Sequence, residues 1–269
     1  EMTARSLSAA LATGNACVIK TPELTPISNA WFARAAEAVG LPAGAVNILC
    51  GLGAEAGAAL SSHPNVDQTV FTGSVPTGIA IATAAAQNVV PCVLELGGKS
   101  AAIVHGDADL NAFENDVRWG IYFNAGQGCS ARSRVIAHES IHDDLLERMS
   151  AVAKSLTVGQ GIEQPEFGPS MGAMVSEVQR DRAEGMVAEA ARDGAQIVTG
   201  GHKLNNAGAF LEPTILAGGS PEMTIAQEEV FGPVLSVLKF SSDREAIEIA
   251  NGTPYGLVGG VFTRDLDRA

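Results

Sequence analysis

Two rhythms of apolar and polar positions run along this chain. Short, almost unbroken apolar runs read as buried strands. They alternate with longer stretches whose apolar residues recur three and four apart, the period of a helix with one buried face. "TARSLSAALATG" predicts a helix closed by Gly14, and "ACVIK" a short strand. Pro26 opens the next helix, "ISNAWFARAAEAVG", which Gly40 ends. "AVNILC" predicts a strand, followed by a glycine-rich turn and the helix "AEAGAALSS". "VDQTVFTG", "SVPTGIAIATAAAQ" and "VVPCVLEL" continue as strand, helix, strand. Strands and helices alternating at this spacing imply right-handed crossovers and a parallel sheet covered on both faces, an α/β fold.

The rhythm restarts after Gly97 and Gly98, which read as a hinge between two α/β domains. "SAAIVH" is strand-like, and "DLNAFENDVRWGIYF" helical with Asp109 as its N-cap. "RVIAHES" and "HDDLLERMSAVAKSL" predict strand and helix. "EVQRDRAEGMVAEAARDG" is a helix, followed by "AQIVTGG", "FLEPTIL" and "VLSVLKF" as strands. "DREAIEIANG" is a last helix before the strand "GLVGGVFT".

With 269 residues and 46% hydrophobic content, the chain can bury sizeable cores. Its net charge of −13 repels phosphate backbones and argues against nucleic acid as a partner. Four cysteines without a C-x-x-C pair make neither a disulfide framework nor a zinc ribbon, which fits a reduced, cytoplasmic setting. No run reads as a signal peptide or a membrane span, so no membrane partner is expected. The chain opens without an initiator methionine and stops just after a strand-like run, so both ends read as cut.

One cysteine stands apart. Cys17, Cys50 and Cys92 lie in apolar runs and read as small buried hydrophobes. Cys129 lies in "FNAGQGCS", a polar, glycine-rich loop that would let a substrate reach its sulfur and its backbone N–H. Glu95, in "LELGGKS", places a carboxylate between leucines at a strand end, a setting for a general base. A thiol and a base together suit nucleophilic catalysis. "EEVFGPV" adds Glu229 and Phe231 in a loop before a strand.

Other stretches admit two readings. "FTGSVPTG" puts Gly73 and Ser74 at a strand-to-helix turn. That turn could bind a phosphate on its free N–H groups, or be an ordinary turn capped by Ser74. "GLGAEAG", Gly51 to Gly57, is a dinucleotide fingerprint one residue too long, or a helix packed tightly on a strand. In "VIKTPE", Lys20 and Glu23 could grip a ribose or be solvated loop charges. "HESIH" has the letters of a zinc helix, but His138 would end a strand and His142 start a helix capped at Ser140, so no metal site is expected. "GGKS" lacks the earlier glycine of a P-loop, where Val93 stands.

"VIKTPE", "FTGSVPTG", "LELGGKS", "NAGQGCS" and "EEVFGPV" together resemble the aldehyde dehydrogenase superfamily, in its order and spacing and across essentially the whole chain. The resemblance implies a parallel, Rossmann-like cofactor-binding sheet with helices on both faces in residues 1–97. It implies a second, catalytic α/β domain in residues 98–269. It makes Cys129 the nucleophile toward a small aldehyde, NAD the cofactor (NADP as its alternative), and Glu95 the base that activates water. It assigns Lys20 and Glu23 to the adenosine ribose and Gly53 to a backbone approach to the adenine. Gly73, Ser74 and Gly78 fall to the pyrophosphate turn, and Leu96, Gly97, Glu229 and Phe231 to the cofactor site. It further implies a homo-oligomer at full length. The family's upstream oxyanion asparagine and its C-terminal stretch have no counterpart in these residues. A non-catalytic nucleotide-binding remnant is the alternative function.

Overall fold

The computed structural model describes residues 2–163, 170–205 and 207–269. The chain divides into two compact units, Glu1–Leu96 and Gly97–Ala269.

The first unit runs α1 (Met2–Ala12), β1 (Cys17–Lys20), α2 (Ile27–Ala38) and β2 (Val46–Leu49). A π-helical turn, Gly53–Gly57, leads into α3 (Ala58–Ser61), then β3 (Thr69–Thr72), α4 (Val75–Ala86) and β4 (Cys92–Glu95). β1 pairs with β2 and β3 with β4, both parallel, as the strand–helix–strand rhythm predicts. The described strands form two separate pairs rather than one continuous sheet. Successive strand residues face opposite sides. Val18, Val70 and Val93, each second in its strand, are exposed while their neighbours are partly covered.

The second unit runs β5 (Ala101–Val104), α5 (Leu110–Val117), β6 (Arg134–His138), α6 (His142–Ser155), β7 (Thr157–Val158) and β8 (Ser170–Met171). It continues with α7 (Glu177–Arg192), β9 (Gln196–Thr199), β10 (Thr214–Ala217), α8 (Thr224–Gln227), β11 (Val234–Phe240), α9 (Asp243–Asn251) and β12 (Gly259–Phe262). Six strands form a sheet in the order β12-β5-β6-β11-β10-β9. All pairs are parallel except β9 with β10, which is antiparallel. β9 reaches β10 without a crossover helix, so the chain turns back on itself at the sheet edge. β6 and β11 are buried at nearly every position. Ile136, Leu145 and Ile215 are wholly inaccessible. Each such side chain contributes about 1.5–3 kcal/mol. Asp109 caps α5 as expected, accepting from the amides of Asn111 and Ala112.

Three local expectations change. Cys50 is exposed, because β2 ends at Leu49 and leaves the cysteine beyond the paired strand. Ser140 does not cap α6; its hydroxyl lies 2.8 Å from His138 Nδ1. The predicted strand "FLEPTIL" pairs as part of the sheet only from Thr214, after Pro213, which has no N–H to offer a ladder.

Candidate active site and cofactor-binding residues

In the first unit, the carboxyl end of β1 brings three predicted residues together. Lys20 Nζ lies 3.3 Å from Glu23 Oε1, and the amide of Gly53 donates to the same oxygen. Hydrogen bonds from the Glu23 and Gly53 amides, with Lys20 beside it, hold the Glu23 carboxyl below its ordinary range. A methyl on Gly53 would come 3.2 Å from that oxygen, so glycine is what lets the loop approach.

The turn after β3 is a helix N-terminus built in the usual chemical way. Ser74 Oγ accepts from the amide of Thr77 at 3.4 Å, with Pro76 in the first helical turn. Gly73 extends the pairing by donating to the carbonyl of Glu95, at 3.0 Å. Gly78 is buried on α4 beneath Leu96, whose Cδ2 would lie 2.5 Å from an added Cβ.

Glu95 ends β4 with its side chain about a fifth exposed. Arg5, on α1, donates to its Oε1 at 2.6 Å. The sequence offers no sign of this pair, which joins residues far apart in the chain.

In the second unit, α5 passes into a π-helical turn, Arg118–Tyr122, and then into three left-handed residues, Asn124, Ala125 and Gly126. That backbone is costly for an alanine, and it folds the loop back tightly. Cys129 follows in a turn closed by the amide of Ala131 on the carbonyl of Gly128, at 3.0 Å. The Cys129 amide makes no hydrogen bond among the described residues. The thiol is half-buried.

Gly97 and Gly98 lie against two other parts of the unit. A methyl on Gly97 would overlap the Glu229 carboxylate, and the Gly98 amide donates to Glu229 Oε1 at 3.1 Å. On Gly98, a methyl would stand 3.0 Å from the Cys129 carbonyl. Burial pushes the Glu229 carboxyl up, against the pull of the Gly98 amide, Lys99 and Arg182. Phe231, two residues on, is partly exposed and left-handed, at φ 53°.

By sequence, "GGKS" is rejected as a P-loop and no other role is predicted for Lys99. It is buried, and its ammonium has no hydrogen-bond partner among the described residues. Burial, and then the Arg134 guanidinium, bring it down to about 7, with Glu229 and Glu228 opposing. Gln179 and Arg182 of α7, also not anticipated, bond the carbonyls of the Glu229–Phe231 loop. Among the described residues no group of three His, Cys, Asp or Glu side chains is placed to hold a metal ion. Among the described residues no helix is long and apolar enough to cross a membrane.

Comparison with known proteins draws these features together. The chain is 40% identical to a cytosolic aldehyde dehydrogenase of Rattus norvegicus over 264 residues, 98% of this chain and 52% of the relative. The structure of an NAD-dependent aldehyde dehydrogenase from Sinorhizobium meliloti superposes with a TM-score of 0.94 at 38% identity, covering 98% of this chain and 52% of that one. Betaine aldehyde dehydrogenase from Staphylococcus aureus, solved with NAD+, gives a TM-score of 0.94 at 37% identity, covering 100% of this chain and 54% of that one. The chain thus spans about half the length of the relatives it matches. The profile of the aldehyde dehydrogenase family matches residues 1–269, and the chain belongs to that family.

Proposed function

We propose that the protein to which this chain belongs oxidises an aldehyde to a carboxylic acid with NAD(P)+. The observation that carries this reading is the Cys129 turn, with its unengaged amide, in one unit with a half-buried carboxylate seated on Gly97 and Gly98. The NAD+-containing relative supports the cofactor.

The residues present fit a dinucleotide. Lys20 and Glu23 offer a cation and an acceptor for ribose hydroxyls, and Ser74 with the start of α4 offers N–H groups to a pyrophosphate. Glu229, held through Oε1 by Gly98, offers its other oxygen to the second ribose. Phe231 adds an aromatic face beside it. When bound, NAD(P)+ supplies an acceptor for a hydride.

The Cys129 sulfur, as thiolate, bonds to the aldehyde carbon, and the carbonyl π electrons move to oxygen. The Cys129 amide donates to that oxygen, one term of a stabilisation worth a few kcal/mol. Loss of hydride from the same carbon leaves a thioester on Cys129. Glu95 takes a proton from water, the water oxygen bonds to the thioester carbon, and the C–S bond breaks. The acid leaves, Cys129 returns as thiolate, and Glu95 releases its proton to solvent. Glu95 can accept that proton on Oε2 while Arg5 holds Oε1, or on either oxygen once the pair opens. The full-length protein is a cytoplasmic homo-oligomer in this reading, with a cytosolic relative in support of the location.

The test is aldehyde-dependent NADH formation by the full-length protein. Turnover that vanishes in Cys129→Ser supports the reading. NAD+ binding without turnover would instead identify a non-catalytic nucleotide-binding protein.

A further inference from the structure

The start of α7 touches both loops that carry chemistry in the second unit. Gln179 Nε2 donates to the carbonyls of Val230, at 2.9 Å, and Phe231, at 3.0 Å. Arg182, one turn on, donates to the carbonyls of Val230, at 3.0 Å, and Glu229, at 3.1 Å. Three successive carbonyls of the Glu229 loop are therefore held from a single helix face. Just before the Ser176 cap, the amide of Val175 donates to Gln127 Oε1 at 2.8 Å. Gln127 stands two residues before Cys129, and its own amide group returns to the carbonyl of Asn124 at 3.2 Å. The ring closes at Gly126, which packs directly on the Gly232 carbonyl.

We propose that Gln179 and Arg182 are positioning residues that set the backbone of Glu229–Phe231, and that Gln127 ties the Cys129 loop to the segment leading into the same helix, so that α7 and its lead-in fix the carboxylate and the thiol in one register.

The physical need is plain. Phe231 is left-handed, as are Asn124 and Ala125, and such backbone persists only where its surroundings over-determine it. The four carbonyl bonds from α7 supply that constraint on one loop, and the Gln127 bonds supply it on the other. The bonds to Arg182 are charge-assisted and so stronger than neutral ones. This inference deepens the reading that Glu229 binds the cofactor ribose, and rests on it only for its effect on affinity.

The experiment uses the full-length protein. Gln179→Leu and Arg182→Leu should each raise hydrogen exchange in peptides covering 229–233, with the sheet strands unchanged. Gln127→Leu should do so at 124–130 and change the Cys129 alkylation rate about threefold or more. NAD+ affinity should fall about tenfold in Gln179→Leu, the scale of one or two neutral hydrogen bonds lost. Arg182→Lys, which keeps a donor, should recover most of any loss in Arg182→Leu and serves if the leucine variant does not fold. In a Glu229→Gln background, Gln179→Leu should add little further loss.

Unchanged exchange in the Gln179 and Arg182 variants would overturn the proposal, even if Glu229→Gln weakens NAD+ binding. Fully additive losses in the double variant would overturn it too. Raised exchange with normal affinity in Glu229→Gln would keep the positioning role and reject the ribose role instead.

Discussion

Gly97 lies directly against the carboxylate of Glu229, in a space that a single methyl group would fill. The Gly98 amide holds the same carboxylate from the next residue. Gly97 has no unusual backbone angle, so the constraint is space. In Gly97→Ala the end of the flexible Glu229 side chain should give way, while the fold survives at a cost of about 1–3 kcal/mol. NAD+ affinity of the full-length protein should fall about tenfold, because Glu229 would lose its hydrogen bond and its place. Calorimetric titration with thermal unfolding checks both effects. Wild-type affinity would show that Glu229 need not stand where Gly97 leaves room.

Cys50 changes what a labelling experiment should show. It is exposed, while Cys17, Cys92 and Cys129 are half-buried, and burial raises the Cys17 thiol. Brief iodoacetamide treatment should therefore mark Cys50 and Cys129, and spare Cys17 and Cys92. Only Cys129 labelling should track loss of activity, and Cys50→Ser should turn over like the wild type. Peptide mapping against residual activity decides it. Inactivation that follows Cys50 would displace Cys129 as the nucleophile.

Much of this site was legible because its residues are local. "VIKTPE" put Lys20 and Glu23 beyond the end of one strand, near enough in the chain for the ion pair the structure forms. "EEVFGPV" and "NAGQGCS" announced loops because glycine and proline break the apolar rhythm. What stayed hidden depends on distance or on backbone shape. Arg5 meets Glu95 through tertiary packing, with no local pattern to announce it. Ala125 is left-handed although alanine carries no signal for that region. The direction of β9 is set by pairing at the sheet edge, which an apolar run alone does not encode. "GGKS" drew attention for the wrong reason. Lys99 matters here as a buried cation and not as part of a P-loop.

That buried cation makes a pH signature. Burial pushes the Lys99 ammonium down to about 7 in the folded chain, against about 10.4 when unfolded. Between those values the unfolded chain binds more protons, so this group makes stability rise with pH across the window. Below about pH 7 both states carry the charge, and its burial costs the fold in full. Lys99→Met should flatten the rise and stabilise most at acid pH. Urea midpoints of the two proteins at about pH 6, 8 and 9.5 test the sign. Parallel curves for wild type and variant would mean that Lys99 does not titrate in this window.

Glu95→Gln separates the two chemical halves of the reaction. In the proposed reaction, hydride loss needs the thiol, and hydrolysis needs the base. The variant should release about one equivalent of NADH in a burst and then turn over about 10²–10⁴-fold more slowly. Arg5→Ala offers a second view of the same carboxylate. If the Arg5 pair must open for Glu95 to act, removing Arg5 should speed hydrolysis or leave it unchanged. A wild-type steady state in Glu95→Gln would remove Glu95 from the water step. Loss of the burst as well would place it in activation of Cys129.

In the proposed cofactor site, the charge of Glu23 would set the choice between NAD+ and NADP+. Its carboxylate accepts the Gly53 amide and faces Lys20, and those contacts hold its carboxyl below the ordinary carboxylate range. A charge at that ribose should repel the extra phosphate of NADP+ while accepting a hydroxyl of NAD+. Glu23→Gln removes the charge and keeps an acceptor oxygen for Gly53. NADP+ affinity of the full-length protein should rise about tenfold, and NAD+ affinity should change less than about threefold, since a fully solvated repulsion is modest in water. The wild-type preference for NAD+ should also shrink as salt is raised, because the Debye length falls from about 10 Å at 0.1 M to about 3 Å at 1 M. In Glu23→Gln that salt dependence should largely vanish. A preference for NAD+ that ignores both the substitution and the salt would come from shape, and Glu23 would then be a ribose ligand without a role in selection.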